Sequence, residues 1–332
     1  MLLSVVIPAK NEEDNIARCI ESVVYGIPEN TEYEIILVDC GSTDKTIDIA
    51  KNYPIKILRL KKSWFHSSPA AKYTGCVFAR GEFIFFIDSD MALEKDFLRQ
   101  AFIEIKKSQD IAGVGGIADE IYAEAGKETG ILKNLYRTKD KITEVDFLAG
   151  AILYRKKTLD EAGSFNPYLN AGAEEHELAE RLKQKGYRLI SIPFPMAAHY
   201  TQKVEDWSEF LRKKRAGLYK GIGISLGAMK SPEYILKTLI YYKEFLGFLI
   251  FMLCAFVLTI NCIIFCRLEL IFFIFLPVLT LLTALIIKKK SFKKAFLGLI
   301  KWFLISFEIL KGLTTKIKDP ALYPKDPEII KD

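Results

Sequence analysis

A chain of 332 residues, half of them hydrophobic, has material for about two ordinary domains and can bury a core without disulfides or structural metal, which excludes a disordered protein. The formal charge of +6 conceals a split: residues 1–200 carry 26 basic and 30 acidic side chains and residues 201–332 carry 21 and 11, so a part at −4 precedes a part at +10. A basic excess at one end, with no basic stripe interleaved with aromatics in the acidic part, argues against nucleic acid and for anionic lipid or lipid phosphate. The six cysteines (19, 40, 76, 254, 262 and 266) show neither metal-ligand spacing nor a disulfide framework, which fits a reducing cytosol.

Residues 1–7 are too short an apolar run for a signal peptide, and Pro8 and Lys10 end it, so it reads as a buried strand. Strands are predicted at 3–7, 34–39, 55–60 and 82–88, with helices beginning near Asn11, Thr43 and Ser68. This alternation implies an α/β fold with a mostly parallel, Rossmann-like sheet and helices on both faces. Ligands bind such sheets beyond the carboxyl ends of the strands, here at 8–12, 39–44 and 88–90.

The chain then changes character. Residues 245–266 are 22 positions without a charge and 270–287 another 18. At about 1.5 Å per residue they reach roughly 33 and 27 Å, enough to cross a hydrocarbon core of about 30 Å. Lysines 230, 237 and 243 precede the pair, and 288–290, 293 and 294 follow it, so the positive-inside bias places both ends in the cytoplasm. Residues 292–313 are apolar but carry Lys294, Lys301 and Glu308 at seven-residue spacing, the pattern of a helix lying in the membrane interface; a third spanning helix is the competing reading. The proline-bearing tail from Asp319 reads as irregular.

The strongest local signal is Phe83-Ile84-Phe85-Phe86-Ile87-Asp88-Ser89-Asp90, a buried strand ending in two carboxylates with one small residue between them. Such a pair can hold Mg²⁺ or Mn²⁺ against a diphosphate, although alone it reads more readily as a helix N-cap cluster. Its context adds three further blocks: Val5-Val6-Ile7-Pro8-Ala9-Lys10-Asn11-Glu12, Ile36-Leu37-Val38-Asp39-Cys40-Gly41-Ser42-Thr43-Asp44-Lys45-Thr46, and Glu174-Glu175-His176-Glu177-Leu178 with Arg181-Leu182. In this order the four resemble the blocks of family 2 glycosyltransferases, inverting nucleotide-sugar enzymes of GT-A fold, over about residues 4–200.

The resemblance implies that Pro8, Asn11 and Glu12 approach the nucleotide, that Asp39 accepts a hydrogen bond from the base, and that Asp88 and Asp90 hold a divalent metal beside the donor. Inverting transfer needs a base for the acceptor hydroxyl. By its match to the second acid of the motif that base is Glu175, with Glu174 in reserve. His199 stands where related enzymes often place a further metal or phosphate ligand, and is equally readable as structural. Asp44 reads as an N-terminal helix charge, and Glu177 and Glu180 as a solvated face paired with Arg181 and Lys183. Arg212 and Arg215, in a run of four basic residues, are candidates to grip a diphosphate or lipid phosphate, or mark a positive-inside surface helix.

Three positions depart from the family pattern. Cys40 replaces a usual Asp, Glu175 replaces an Asp, and Lys72 lies where Arg-Asn is usual. Lys72 can meet a phosphate as a point charge but cannot supply a bidentate fork. The Gln-x-x-Arg-Trp motif of processive members is absent after Glu175, which favours single transfer.

The expected molecule is a multi-pass membrane protein with a GT-A domain at 1–227, a linker helix at 228–244, a transmembrane hairpin at 245–287 and an interfacial helix with irregular tail at 288–332. Its catalytic domain and both termini are expected in the cytoplasm, with a nucleotide-diphosphate sugar as donor and a polyprenyl phosphate, lipid-linked oligosaccharide or glycolipid as acceptor. The rival is a membrane scaffold that keeps the fold without the chemistry.

Overall fold

The computed structural model describes residues 2–124, 127–170, 174–201, 206–228, 290–316 and 318–332, with isolated helical positions between 232 and 287. The predicted hairpin at 245–287 and nearly all of the linker therefore lie outside the described residues, isolated positions apart. Among the described residues no helix is long and apolar enough to cross a membrane. Two compact units form, one from Met1–Val204 with Lys316–Asp332 and the other from Glu205–Thr315.

The first unit is built on strands β1 (Leu2–Ala9), β2 (Glu32–Asp39), β3 (Lys56–Arg59), β4 (Phe83–Ile87), β5 (Met91–Leu93), β6 (Ile111–Glu124), β7 (Lys127–Leu132), β8 (Thr143–Glu144), β9 (Ala151–Arg155), β10 (Arg188–Thr201) and β11 (Glu328–Lys331). They share one sheet in the order β11-β3-β2-β1-β4-β9-β6-β10-β5, with β7 on β6 and β8 on β10. The run β3-β2-β1-β4 is parallel, as is β6 with β10, but β9 enters antiparallel to both β4 and β6. The sheet is therefore mixed rather than mostly parallel. The strict strand-helix alternation that demands parallel pairing ends after α4 (Phe97–Lys106), and antiparallel neighbours need no crossover helix.

Side chains alternate across this sheet. Leu3, Val5 and Ile7 pack with Ile16, Ile20 and Val23 of α1 (Ile16–Gly26), while Val6 joins Ala70, Ala71 and Cys76 of α3 (Ser68–Phe78) on the other face. All five residues of β4 are buried, each large side chain contributing about 1.5–3 kcal/mol. Gly75 permits the close seat of α3 on β1, since a Cβ there would run into the branched side chain of Val6. Ser67 Oγ caps α3 by accepting from Ala70 N at 3.1 Å, as the Ser-Ser-Pro run predicts.

The tail is not irregular throughout. Strand β11 adds antiparallel to β3, and Tyr323, 2 % exposed, packs its ring against Trp64, Tyr73 and Tyr168 while donating to Phe65 O at 2.7 Å. Alternation in so short a strand, Glu-Ile-Ile-Lys, is too weak to read, and only the open edge of β3 makes it a strand.

In the second unit α7 (Asp206–Arg215), α8 (Leu218–Ala228) and α9 (Phe292–Leu313) pack around Phe210, Tyr219, Ile222 and Ile309. Gly223 and Gly312 bring the α8 and α9 backbones together, because a Cβ on either would strike main-chain atoms of the other helix. One stripe of α9, comprising Phe292, Phe296, Phe303, Phe307, Leu310 and Leu313, is exposed.

Candidate active site

The carboxyl ends of β1, β2 and β4 are stitched together by their own loops. Asn11, left-handed at φ 57°, donates its amide to Ser42 Oγ at 2.9 Å and accepts from Thr43 N at 2.8 Å on Oδ1. Glu12 N donates to Thr46 Oγ1 at 2.7 Å. This stitching explains why α1 begins at Ile16 rather than near Asn11. Pro8 lies in β1, paired with Val38, and Asp44, just ahead of the helix α2 (Thr46–Ala50), accepts from Thr46 N at 3.0 Å.

Asp39 is fully buried and already held: Arg59 Nε donates to Oδ2 at 2.7 Å, Gly41 N to the same oxygen at 3.2 Å, and Ser42 N to Oδ1 at 3.0 Å. Sequence pattern does not mark Arg59, because a lone arginine at the end of β3 carries no motif. Glu12 Oε2 accepts from Asn15 Nδ2 at 2.8 Å. Burial, with the nearby Asp90, Asp44 and Asp88 charges, pushes the Glu12 carboxyl up to about 7 against that hydrogen bond.

At the centre stands Lys72, 2 % exposed, on α3. Its Nζ lies 2.8 Å from Glu175 Oε1, 3.4 Å from Glu174 Oε1 and 3.6 Å from Asp88 Oδ1, with the Phe165 ring 5.4 Å away. Burial alone would lower its pKa, but Asp88, Glu175 and Glu174 hold it well above the ordinary lysine value. Both glutamates occupy the first turn of α6 (Glu174–Gln184), where the helix dipole favours negative charge. Burial and Glu175 raise Glu174 to about 7; burial acts on Glu175 too, but the Lys72 ammonium overrides it and holds Glu175 below the usual range. At neutral pH, then, Glu175 is the more fully ionised of the pair.

Asp88, at the end of β4, is raised to about 6 by its enclosure, with Lys72 opposing and Asp90 and Glu175 adding to the rise. His199 Nε2 meets Asp90 Oδ2 at 3.0 Å and its Nδ1 lies 3.6 Å from Glu120 Oε1, a carboxylate that sequence reasoning did not single out. Burial would lower the His199 pKa, yet the Asp90 hydrogen bond and charge raise it. Among the described residues no three His, Cys, Asp or Glu side chains form a metal-ligand cluster, so the expected trio of Asp88, Asp90 and His199 is not assembled as one. The two aspartates themselves suit a hard cation, since they are oxygen donors two residues apart whose mutual repulsion a divalent ion would relieve.

Tyr136, from the loop after β7, also reaches this cluster: a Cβ on Gly150 would lie 2.6 Å from its Oη. Nothing in the sequence marks it, as it sits in an unpatterned stretch. Glu177 is buried and clamped by Arg181 at 2.6 Å, not part of a solvated face, while Lys183 pairs with Asp146. Arg212 and Arg215 are exposed on α7 of the second unit.

The sequence profile described as Glycosyl transferase family 2 matches residues 4–163. That segment, a little under half of the chain, is similar to glycosyltransferase family 2. Among curated family relatives, the Poly(ribitol-phosphate) beta-glucosyltransferase of Bacillus spizizenii is 33 % identical over 119 residues, covering 35 % of this chain and only 19 % of that enzyme. The Methanococcus voltae Dolichyl N-acetyl-alpha-D-glucosaminyl phosphate 3-beta-D-2,3-diacetamido-2,3-dideoxy-beta-D-glucuronosyltransferase is 25 % identical, covering 68 % of this chain and 74 % of the relative. The structure of S. aureus TarS 1-349 in complex with UDP-GlcNAc matches with a TM-score of 0.52 and 19 % identity over 70 % of this chain and 68 % of that one, a likeness of fold. The family match, the relatives named glycosyltransferases and the likeness of fold together support a glycosyltransferase domain on a mixed α/β, GT-A-like sheet.

Proposed function

We propose that this glycosyltransferase inverts the anomeric centre as it moves a hexosyl group from a nucleotide-diphosphate sugar to a membrane-associated acceptor. The observation that carries the reading is the Glu175 carboxylate, kept ionised 2.8 Å from Lys72 at the edge where β1, β2 and β4 end. The acceptor oxygen bonds to the anomeric carbon while the bond from that carbon to the diphosphate oxygen breaks. Glu175 takes the acceptor's proton, and the nucleoside diphosphate leaves with the electron pair on the opposite face. Pro8, Asn11, Glu12 and Asp39 line the nucleotide end. A divalent cation held by Asp88 and Asp90 would supply charge neutralisation to the departing diphosphate.

Support for the acceptor class comes from the names of relatives, which include dolichyl-phosphate and poly(ribitol-phosphate) enzymes, and from the +10 charge of residues 201–332. Anchoring by 245–287 is supported by hydropathy and by the helical positions Leu253, Phe256 and Val257, large apolar side chains that are 62, 61 and 49 % exposed. The exposed stripe of α9 suits a lipid interface, with Arg212, Arg215 and the lysines after 287 toward anionic headgroups.

The test is transfer by the full-length protein, in membranes or detergent, from a panel of nucleotide sugars to lipid extracts. Glu175→Gln is expected to keep nucleotide affinity while turnover falls by roughly 10² to 10⁴. A fall of that size in Glu174→Gln, with Glu175→Gln near normal, would reassign the base.

A further inference from the structure

The loop that carries Tyr136 is held at every turn. Leu135 N donates to Ala118 O at 2.7 Å and Asn134 N to Asp119 Oδ1 at 2.8 Å. The Asn134 amide spans the loop, its Nδ2 donating to Thr138 O at 2.8 Å and its Oδ1 accepting from Thr138 N at 2.7 Å. Thr138 Oγ1 then donates to Gly116 O at 3.1 Å. Two residues bracketing Leu135-Tyr136 are left-handed, Asn134 at φ 52° and Arg137 at φ 53°. For arginine that conformation is unfavourable, and strain of this kind persists where the surroundings fix a side chain for use.

What the loop fixes is the Tyr136 hydroxyl. It lies beside Gly150, where a Cβ would come within 2.6 Å of Oη and 2.5 Å of Met91 Cε, so any larger residue there would displace it. Gly150, itself at φ 77°, accepts from Asp88 N at 3.3 Å through its carbonyl, which places the phenol at the turn where β4 hands over to Asp88. Among the described residues the hydroxyl has no hydrogen-bond partner, and the residue remains 37 % exposed. Burial raises the phenol's pKa, as do the Asp88, Glu175 and Asp90 charges, with Lys72 opposing, so the group is a protonated donor in the working range.

We propose that Tyr136 is a sugar-binding residue, its hydroxyl donating a hydrogen bond to a hydroxyl of the hexose being transferred and its ring offering an apolar face to the sugar's C–H edge. The inference rests on the proposed transferase reading. In that reading the diphosphate leaves on the Asp88 side and the acceptor is deprotonated at Glu175, so the transferred sugar stands against the carboxylate cluster that encloses Lys72. The Tyr136 hydroxyl lies beside Gly150, and the Asp88 and Glu175 charges both act on it.

The experiment compares the full-length protein with Tyr136→Phe and Tyr136→Ala, using UDP, GDP and a panel of UDP- and GDP-sugars as probes in direct binding and in turnover. Tyr136→Phe is expected to weaken the preferred nucleotide sugar about 3- to 10-fold, the scale of one hydrogen bond, while the matching nucleoside diphosphate binds within twofold of wild type. Tyr136→Ala should lose more on the sugar and still bind the diphosphate. Equal weakening of nucleotide and nucleotide sugar overturns the proposal, and so does an unchanged Tyr136→Phe. A wild type that binds no nucleotide sugar overturns the transferase reading and this proposal with it, whereas a binding wild type with an indifferent Tyr136→Phe overturns only the latter.

Discussion

Lys72 replaces a residue type that would fork onto a phosphate, and its ammonium is enclosed by Asp88, Glu174 and Glu175 on the protein side. Three carboxylates around one cation are tolerable only while the cation is there, because each would otherwise be a poorly solvated charge beside like charges. Lys72→Met is therefore expected to lower stability by about 3–5 kcal/mol, measured by denaturant unfolding of the detergent-solubilised chain. A loss below about 1 kcal/mol would show that the carboxylates take up protons without consequence. The same arrangement makes sense of the longer acid: Glu175 reaches Lys72 while keeping 11 % of its side chain open.

Among the elements, the C-terminal strand joins the two ends of the sequence most directly. β11 closes the open edge of β3, Lys61 pairs with Asp326 and Lys56 with Asp332, but these exposed pairs contribute little. The weight falls on Tyr323, whose ring fills a pocket lined by Trp64, Tyr73 and Tyr168 next to the Cys40 turn. Tyr323→Ala is expected to cost about 3–5 kcal/mol by leaving a cavity, and Tyr323→Phe about 1 kcal/mol for the hydrogen bond to Phe65 O. Thermal unfolding of the two variants checks this, and an Ala variant as stable as wild type would mean the tail detaches at little cost. Membership of β11 in the sheet was not legible in Glu-Ile-Ile-Lys, since a four-residue strand is made by its neighbour's unpaired edge. The α6 first turn was legible, because its paired acids occur in a recognisable order with the blocks before it.

For the molecule as a whole, β1 and β11 belong to one sheet, so residues 2–204 and 316–332 stand on one side of any membrane. The chain between them can cross only an even number of times. If 245–266 and 270–287 both span, 292–313 cannot be a third span, which leaves α9 to the interface and fits Lys294, Lys301 and Glu308 away from membrane depth. Tags placed at the two termini should accordingly be reached by protease or antibody from the same face of sealed vesicles. Termini on opposite faces would contradict either the sheet or the hairpin.

The sequence by itself determined the first four strands, the acidic strand ends, the family resemblance and the split between an acidic part and a basic apolar one, because these are encoded in local pattern and in the order of motifs. The tertiary structure alone decided that β9 enters antiparallel, that β11 returns to the sheet, that Arg59 clamps Asp39, that Lys72 sits among the carboxylates and that Tyr136 joins them. Each of these depends on partners remote in sequence: Lys72 and Glu175 are 103 positions apart, and Lys61 and Asp326 are 265. A contact of that separation is set by chain topology and by which surfaces remain unpaired once the local elements have formed, and neither quantity is written in a window of neighbouring residues.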